Sequence, residues 1–248
     1  MRSGAGRLLH RTLRRFGREL VPYHHALHAE ARRMRLLREH HVDLVIDVGA
    51  NVGQYATALR ESGFTGRIVS FEPLAVAFAE LSRAAAADHR WIAFQVALGD
   101  RDGTAEINVA ANSVSSSILP MLPVHLGSAP ASAFTGKQSV DIRRLDSLFD
   151  EICRPSETPF LKIDTQGYER AVLDGSYRAL SRVVGIQVEM SVVPMYDGEA
   201  PIDEMIALMR ELGFTLMALE PGFSDETTGR MLQADGMFFR EAKPSNAL

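Results

Sequence analysis

The chain has 248 residues, of which 46% are apolar and 23% are charged. This composition is ordinary for a soluble globular protein, and it excludes a disordered chain, a collagen-like chain and a polytopic membrane protein. The single cysteine, Cys153, cannot form a disulfide within the chain, which fits a reducing, cytoplasmic compartment. The length predicts one large domain or two small ones.

Positive charge is concentrated near the N-terminus. Residues 1–40 contain ten Arg and three Glu, whereas the whole chain has a net charge of −4, so the remainder is acidic. Because an acidic body is not typical of nucleic-acid-binding proteins, we expect no nucleic-acid partner. We predict a basic helical N-terminal extension over residues 1–40 and one main domain over residues 41–248.

A helical wheel of residues 7–20 separates apolar from basic side chains. Five arginines lie on one face, and the opposite face carries Leu9, Leu13, Phe16 and Leu20. Two interpretations remain open. The helix packs its apolar stripe on the main domain, or residues 1–20 make peripheral contact with anionic lipid at the inner face of the membrane.

Beyond residue 41, β-rich apolar runs alternate with helical patterns. The predicted strands cover residues 44–48, 67–71, 91–98, 103–110, 139–144, 160–163, 183–189, 214–219 and 236–239, and the predicted helices cover 53–62, 74–87, 169–180 and 201–212. We expect Asp146 to cap a further short helix that ends near Ile152. The stretch from Ile107 to Gly136 has no charged residue, but its prolines predict a long loop rather than a membrane span. This alternation predicts a parallel sheet covered by helices on both faces.

Glycines and a carboxylate follow the first two strands, where open α/β sheets bind ligands. Gly49 and Gly53 stand between the first strand and the next helix, and they permit a sharp turn and a close ligand approach. Glu72 ends the second strand, where an acidic side chain can accept hydrogen bonds from both hydroxyls of a ribose. The sequence therefore predicts a nucleoside-containing cofactor.

Two cofactors share these features. A nicotinamide dinucleotide requires G-x-G-x-x-G, whose middle glycine makes room for the pyrophosphate, but here Asn51 stands at that position. An acid two residues before the first glycine, followed by G-x-x-x-G, favours S-adenosylmethionine, which has no phosphate. An NAD-dependent oxidoreductase and a non-catalytic cofactor-binding partner protein remain the alternatives.

Five motifs in order carry a family resemblance. They are VIDVGANVGQY (45–55), SFEP (70–73), VALGD (96–100), LKIDTQGYE (161–169) and IQVEM (186–190). From about Val42 to Arg240 the chain resembles the FkbM-type methyltransferase family. The resemblance implies a class I, Rossmann-like fold, with a seven-stranded, mostly parallel sheet and an antiparallel last strand. It also implies an S-adenosylmethionine-dependent O-methyltransferase acting on sugars, polyketides or glycolipids.

The resemblance also implies roles for individual residues. The methionine part of the cofactor would be surrounded by Asp47, Gly49, Asn51 and Gly53. Glu72 would hold the ribose hydroxyls, and Ala97 and Leu98 would line the adenine.

Asp164 ends the fourth main strand, close to where the transferred methyl group must lie. A hydroxyl is a poor nucleophile until a base removes its proton, so Asp164 is the first candidate for the base. Glu189 ends the fifth main strand and would lie beside it. His125, in the uncharged stretch, is a second candidate base. Lys162 is predicted to point to the opposite face of the sheet, with no part in the chemistry.

Paired carboxylates at neighbouring strand ends could also hold Mg²⁺. Related metal-dependent sugar methyltransferases have a further Asp directly after the second acid, where this chain has Met190. Gln166 stands where many relatives have a Glu. We therefore assign no metal ligands, and a magnesium ion remains the less favoured alternative.

Nothing in the sequence names the acceptor. The uncharged segment 110–136 and the apolar stretch 190–196 are where a lid and an acceptor pocket would be built. We expect a small-molecule or lipid-linked sugar acceptor.

Overall fold

The computed structural model describes residues 12–18 and 23–241. Its strands, in chain order, are β1 (Leu44–Val48), β2 (Arg67–Phe71), β3 (Trp91–Phe94), β4 (Ala97–Leu98), β5 (Gly103–Ala110), β6 (Phe134–Arg143), β7 (Pro159–Ile163), β8 (Gly185–Ser191), β9 (Thr215–Pro221) and β10 (Gln233–Phe239). Seven of them form one sheet in the order β3-β2-β1-β7-β8-β10-β9. Neighbouring strands from β3 to β8 are parallel, whereas β10 is antiparallel to both of its neighbours.

Helices cover both faces of this sheet, as predicted. In chain order they are α1 (Ala29–Glu39), α2 (Gln54–Glu61), α3 (Ala75–Ala86), α4 (Pro123–Ser128), α5 (Leu145–Ile152), α6 (Glu169–Asp174), α7 (Tyr177–Leu180) and α8 (Ile202–Glu211). One apolar cluster joins α1, α2 and α3 to the sheet, and another joins α5 to α8 to its other face. The seven-stranded, mostly parallel α/β fold expected from the family resemblance is confirmed.

The predicted third strand, residues 91–98, is wrong as a single element. The chain leaves the main sheet after Phe94, and Ala97–Leu98 pairs instead with β6 in a second, three-stranded sheet of order β4-β6-β5. The same sheet shortens the predicted loop at 107–136. Ile107 pairs with Gln138 and Val109 with Gly136, so both ends of that stretch are strand, and α4 lies between them.

Asp146 lies inside α5 and does not cap it, contrary to the prediction. Its carboxylate accepts hydrogen bonds from the backbone N–H groups of Arg178 and Ala179 at 3.0 and 2.8 Å, so it caps α7 instead. The predicted helix over residues 169–180 is divided into α6 and α7 by Gly175 and Ser176.

The N-terminal region divides into a packed helix and a less buried segment. Met34 and Leu37 of α1 are buried in the same apolar cluster as β1. Residues 12–15 form a helical turn, and Phe16 beside it is 76% exposed. Leu9 and Leu20 of the predicted apolar stripe lie outside the described residues. Within the described ranges, no helix combines the length and apolar character that crossing a bilayer requires.

Candidate active site

The turn between β1 and α2 is built from residues with left-handed backbone. Gly49 has φ of +73°, and a Cβ added there would lie 1.8 Å from the carbonyl oxygen of Asp164. Gly53 has φ of +93°, and its added Cβ would meet the Trp91 ring at 2.8 Å. Asn51 between them also has a positive φ, +47°. Both glycines are therefore required by the approach of neighbouring elements as well as by the turn.

Glu72 closes the same turn from the end of β2. One carboxylate oxygen accepts the N–H of Asn51 and the other accepts the N–H of Leu74, each at 2.8 Å. Burial raises the pKa of Glu72 to about 7, although both hydrogen bonds favour the charged form. The carboxylate is thus held in one orientation at the wall of a cavity, with its remaining lone pairs free for donors.

Lys162 is the clearest correction to the sequence predictions. Its ammonium lies 3.2 Å from Asp47 Oδ1 and 3.5 Å from Asp164 Oδ2, so it points to the site and not to the opposite face. Residues two apart on a strand share a face, and Lys162 is also the register partner of Asp47 across β1 and β7. Burial alone would lower the pKa of Lys162, but the two carboxylates outweigh it and raise the pKa.

Asp47 is fully buried next to the Lys162 ammonium. Its second oxygen accepts a hydrogen bond from Ser70 at 3.1 Å, and Ser70 in turn accepts one from the Trp91 indole at 3.0 Å. Trp91, Ser70, Asp47 and Lys162 thus form a connected series of polar contacts from β3 to β7. Asp47 supports the cavity through Lys162 and does not line it.

A single carboxamide joins the two predicted catalytic acids. The Gln166 amide nitrogen donates to Asp164 Oδ1 and to Glu189 Oε2, at 2.9 Å each. The Tyr196 hydroxyl lies 2.9 Å from the amide oxygen and 3.0 Å from the Ser115 carbonyl oxygen, and its single proton serves one of these two acceptors at a time. Gln166 has φ of +55°, so this position is held in the left-handed region. A second carboxamide, Gln233, donates to Glu189 at 2.8 Å.

Burial and the nearby carboxylates of Asp164, Glu169 and Asp235 raise the pKa of Glu189 well above its usual range. A carboxylate in this state is a stronger base than one in water. His125 is also buried at the cavity wall, and burial lowers its pKa. Its Nδ1 has no hydrogen-bond partner among the described residues. Its part in the chemistry stays a prediction.

These groups line one cavity of about 580 Å³ beyond the carboxyl ends of the central strands. Most of the predicted site residues are in its wall: Gly49, Asn51, Glu72, Ala97, Leu98, Asp164 and Glu189. Asp47 and Gly53 lie behind it. Sequence reasoning gave no role to three other wall residues, Arg33, Tyr55 and Gln187. Within residues 12–18 and 23–241, no three or more His, Cys, Asp or Glu side chains are grouped as metal ligands.

Comparison with known proteins agrees with this architecture. A seven-stranded sheet of this order with a cavity at its carboxyl edge is the arrangement of a class I methyltransferase. The profile of the methyltransferase FkbM domain matches residues 47–216, and the chain therefore belongs to this family of methyltransferases.

A curated relative is the 2-O-methyltransferase NoeI of Sinorhizobium fredii, which is 26% identical over 184 residues, covering 72% of this chain and 74% of NoeI. A crystal structure of methyltransferase FkbM from Methylobacillus flagellatus is 14% identical, with a TM-score of 0.47. That match covers 79% of this chain, and the chain spans only 43% of that protein. The crystal structure of Sp1610 from Streptococcus pneumoniae, in complex with S-adenosyl-L-methionine, matches with 10% identity and a TM-score of 0.46, over 87% of this chain and 75% of that chain.

The ion pairs of Lys162 lead to a prediction about stability. Lys162→Met leaves the buried Asp47 charge unpaired, so we expect the free energy of unfolding to fall by about 3–5 kcal/mol at pH 7. Urea unfolding measures this. The double variant Asp47→Asn/Lys162→Met removes both charges and should recover much of the loss, which gives a readout even if the single variant does not fold. A cost below about 1 kcal/mol for the single change would show that the ion pairs are not structural.

Proposed function

We propose that this protein is an S-adenosylmethionine-dependent O-methyltransferase that methylates a hydroxyl of a sugar, a glycolipid or a related natural product. One observation carries the proposal. A single cavity is lined both by Glu72, a buried carboxylate able to accept hydrogen bonds from ribose hydroxyls, and by the Asp164–Gln166–Glu189 cluster. Membership of the methyltransferase FkbM family and the similarity to an O-methyltransferase support it.

The residues of the cavity fit this cofactor. Glu72 would accept the ribose hydroxyls, and the apolar side chains of Ala97 and Leu98 would cover the adenine. Gly49 and Asn51 would lie along the methionine part, with Asp47 and Gly53 supporting the turn from behind. When bound, the cofactor supplies a methyl group on a positively charged sulfur.

The acid cluster would prepare the acceptor hydroxyl. Asp164 accepts the hydroxyl proton in this proposal, and Glu189 beside it orients the same hydroxyl. Gln166 separates the two carboxylates, so their charges are bridged by N–H donors instead of facing each other directly. Hydrogen bonds with the carboxylates and carboxamides of the cavity wall would also hold the hydroxyl in position, which would further accelerate methyl transfer. The same groups form the hydrogen bonds that polyhydroxylated acceptors require.

The assigned role of Glu72 leads to a prediction about cofactor affinity. Glu72→Gln should weaken binding of S-adenosylhomocysteine by about 1.5–3 kcal/mol, the worth of hydrogen bonds to a charged group. Because the pKa of Glu72 is about 7, wild-type affinity should also decrease as the pH falls from 8 to 6 and the carboxylate takes up its proton.

Calorimetric titration at several pH values measures both effects. The Glu72→Gln variant serves as the control for other titrating groups. Its affinity should not show this pH dependence, because glutamine does not titrate. An equal pH dependence in both proteins would contradict the role of Glu72. Stabilisation by NAD⁺ and not by S-adenosylhomocysteine in thermal denaturation would favour the oxidoreductase alternative.

The assigned role of Asp164 leads to a prediction about the rate of methyl transfer. Asp164→Asn should lower kcat by about 10²–10⁴-fold, since the amide cannot accept the hydroxyl proton, while the affinity for S-adenosylhomocysteine changes little. The matched control is Asp174→Asn, which alters an exposed carboxylate paired with Arg170 on α6. Methyl transfer to a glycolipid extract, read by mass spectrometry, provides the assay. Activity within threefold of the wild type would rule out this role, and loss of activity with EDTA would favour a magnesium-dependent site.

The basic segment at residues 1–20 would bring this site to a lipid-linked acceptor at the inner face of the membrane. Each arginine near an anionic surface contributes about 1 kcal/mol, so the protein should co-sediment with phosphatidylserine vesicles at low salt. Higher salt should release it. Changing Arg7, Arg11, Arg14, Arg15 and Arg18 to Gln should abolish binding, and neutral vesicles serve as the control. A wild-type protein that stays in the supernatant at low salt would refute the membrane contact.

A further inference from the structure

Arg33 is a positively charged side chain in the cavity wall that the chemistry above does not use. It lies on α1, outside the family motifs, and is half-buried. Its guanidinium carbon lies 4.8 Å from the centre of the Tyr55 ring. Its Nε is buried, and among the described residues Arg33 has neither a hydrogen-bond partner nor an ion-pair partner. A guanidinium with five donors in such a place is suited to a planar anion.

The cofactor contains one such anion. Its methionine part ends in a carboxylate and an ammonium group, and it would leave the ribose near Glu72 and pass Gly49. Among the described residues of the cavity wall, the permanent positive charges are those of Lys162 and Arg33. Lys162 is already paired with Asp47 and Asp164. Arg33 interacts electrostatically with Asp235 of the same wall, but no ion pair joins them among the described residues. Arg33 is therefore the cation that remains for the carboxylate.

The surroundings of Arg33 place it in the cavity wall beside the glycine turn, where the methionine part of the cofactor would lie. Tyr55, beneath the guanidinium, is the second residue of α2 and stands two residues after Gly53, so it follows the glycine turn closely. The Tyr55 hydroxyl donates to Gln187 at 3.0 Å, which holds the ring against β8. The Lys162 ammonium lies 5.4 Å from the centre of the same ring. The stacked Tyr55 ring thus keeps Arg33 in the wall beside the first residues of α2.

We propose that Arg33 binds the methionine carboxylate of the cofactor, so that helix α1 completes the cofactor site. The inference rests on the proposed use of S-adenosylmethionine. The other source of the same anionic chemistry would be a phosphate or carboxylate on the acceptor, and the experiment separates the two.

The test compares three ligands by calorimetry: S-adenosylhomocysteine, its decarboxylated analogue, and 5′-methylthioadenosine, which lacks the whole amino-acid part. Arg33→Met should weaken S-adenosylhomocysteine by roughly tenfold or more, because a charge-assisted contact is lost. The same change should alter binding of the other two ligands by less than about twofold. Arg33→Lys should give an intermediate loss, because an ammonium keeps the charge without the fork of donors.

Arg35→Met is the matched control. It makes the same change on the same helix, but Arg35 is exposed and paired with Glu39, so its ligand affinities should equal those of the wild type. Thermal denaturation without ligand checks that each variant is folded.

Equal affinity of Arg33→Met and the wild type for S-adenosylhomocysteine would overturn the inference. The acceptor anion would then be the remaining partner, seen as a raised KM for the acceptor at unchanged cofactor affinity. An equal loss for all three ligands would also overturn it, since Arg33 would then shape the cavity without binding the carboxylate. Failure of the wild type to bind any of the three ligands would instead refute the proposed cofactor.

Discussion

The rest of the cavity depends on the ion pairs that the buried Lys162 ammonium makes. This ammonium lies between Asp47, which precedes the glycine turn, and Asp164, which begins the acceptor side. Without it, the fully buried Asp47 carboxylate would have no cation beside it among the described residues, which is costly in the interior of a protein. The backbone adds a second constraint at the same place, because Gly49 packs so closely on the Asp164 carbonyl that no side chain fits. The ends of β1 and β7 are thus fixed to each other by charge and by contact.

Most of the main sheet could be predicted because its strands are short apolar runs that end at residues typical of turns. The bounds of β1 and β2 agree with the prediction, since a glycine follows one closely and Glu72-Pro73 the other. The run from Trp91 to Leu98 contains no such signal. The run is divided into two strands because Ala97 and Leu98 pair in parallel with β6, which lies far along the chain. Propensity within a window contains no information about a partner outside it.

The site was predictable to the extent that it follows from strand ends. Most of the residues expected there line the cavity, and Lys162 was missed through an error of strand geometry and not through lack of signal. Asp47 and Lys162 are both the last residue but one of neighbouring parallel strands, which places them side by side. Arg33 and Tyr196 are different. Their positions depend on how α1 and the turn at Glu199 pack. No local pattern marks Arg33, whereas Tyr196 ends the apolar stretch that was expected to help build the acceptor pocket but was given no role of its own.

The uncharged segment between β5 and β6 has a consequence for how this enzyme changes over evolution or in the laboratory. It touches the acid cluster through few bonds, chiefly Ser117 to the Gln166 carbonyl and Tyr196 to Ser115. Most of the groups at the cofactor side belong instead to the sheet and the helices packed on it, and the segment meets that side through a hydrogen bond from Asn51 to Ser113, outside residues 118–133. The segment is therefore a replaceable module. Exchanging residues 118–133 for those of a relative should alter which acceptor is admitted without re-engineering the machinery that holds the methyl donor.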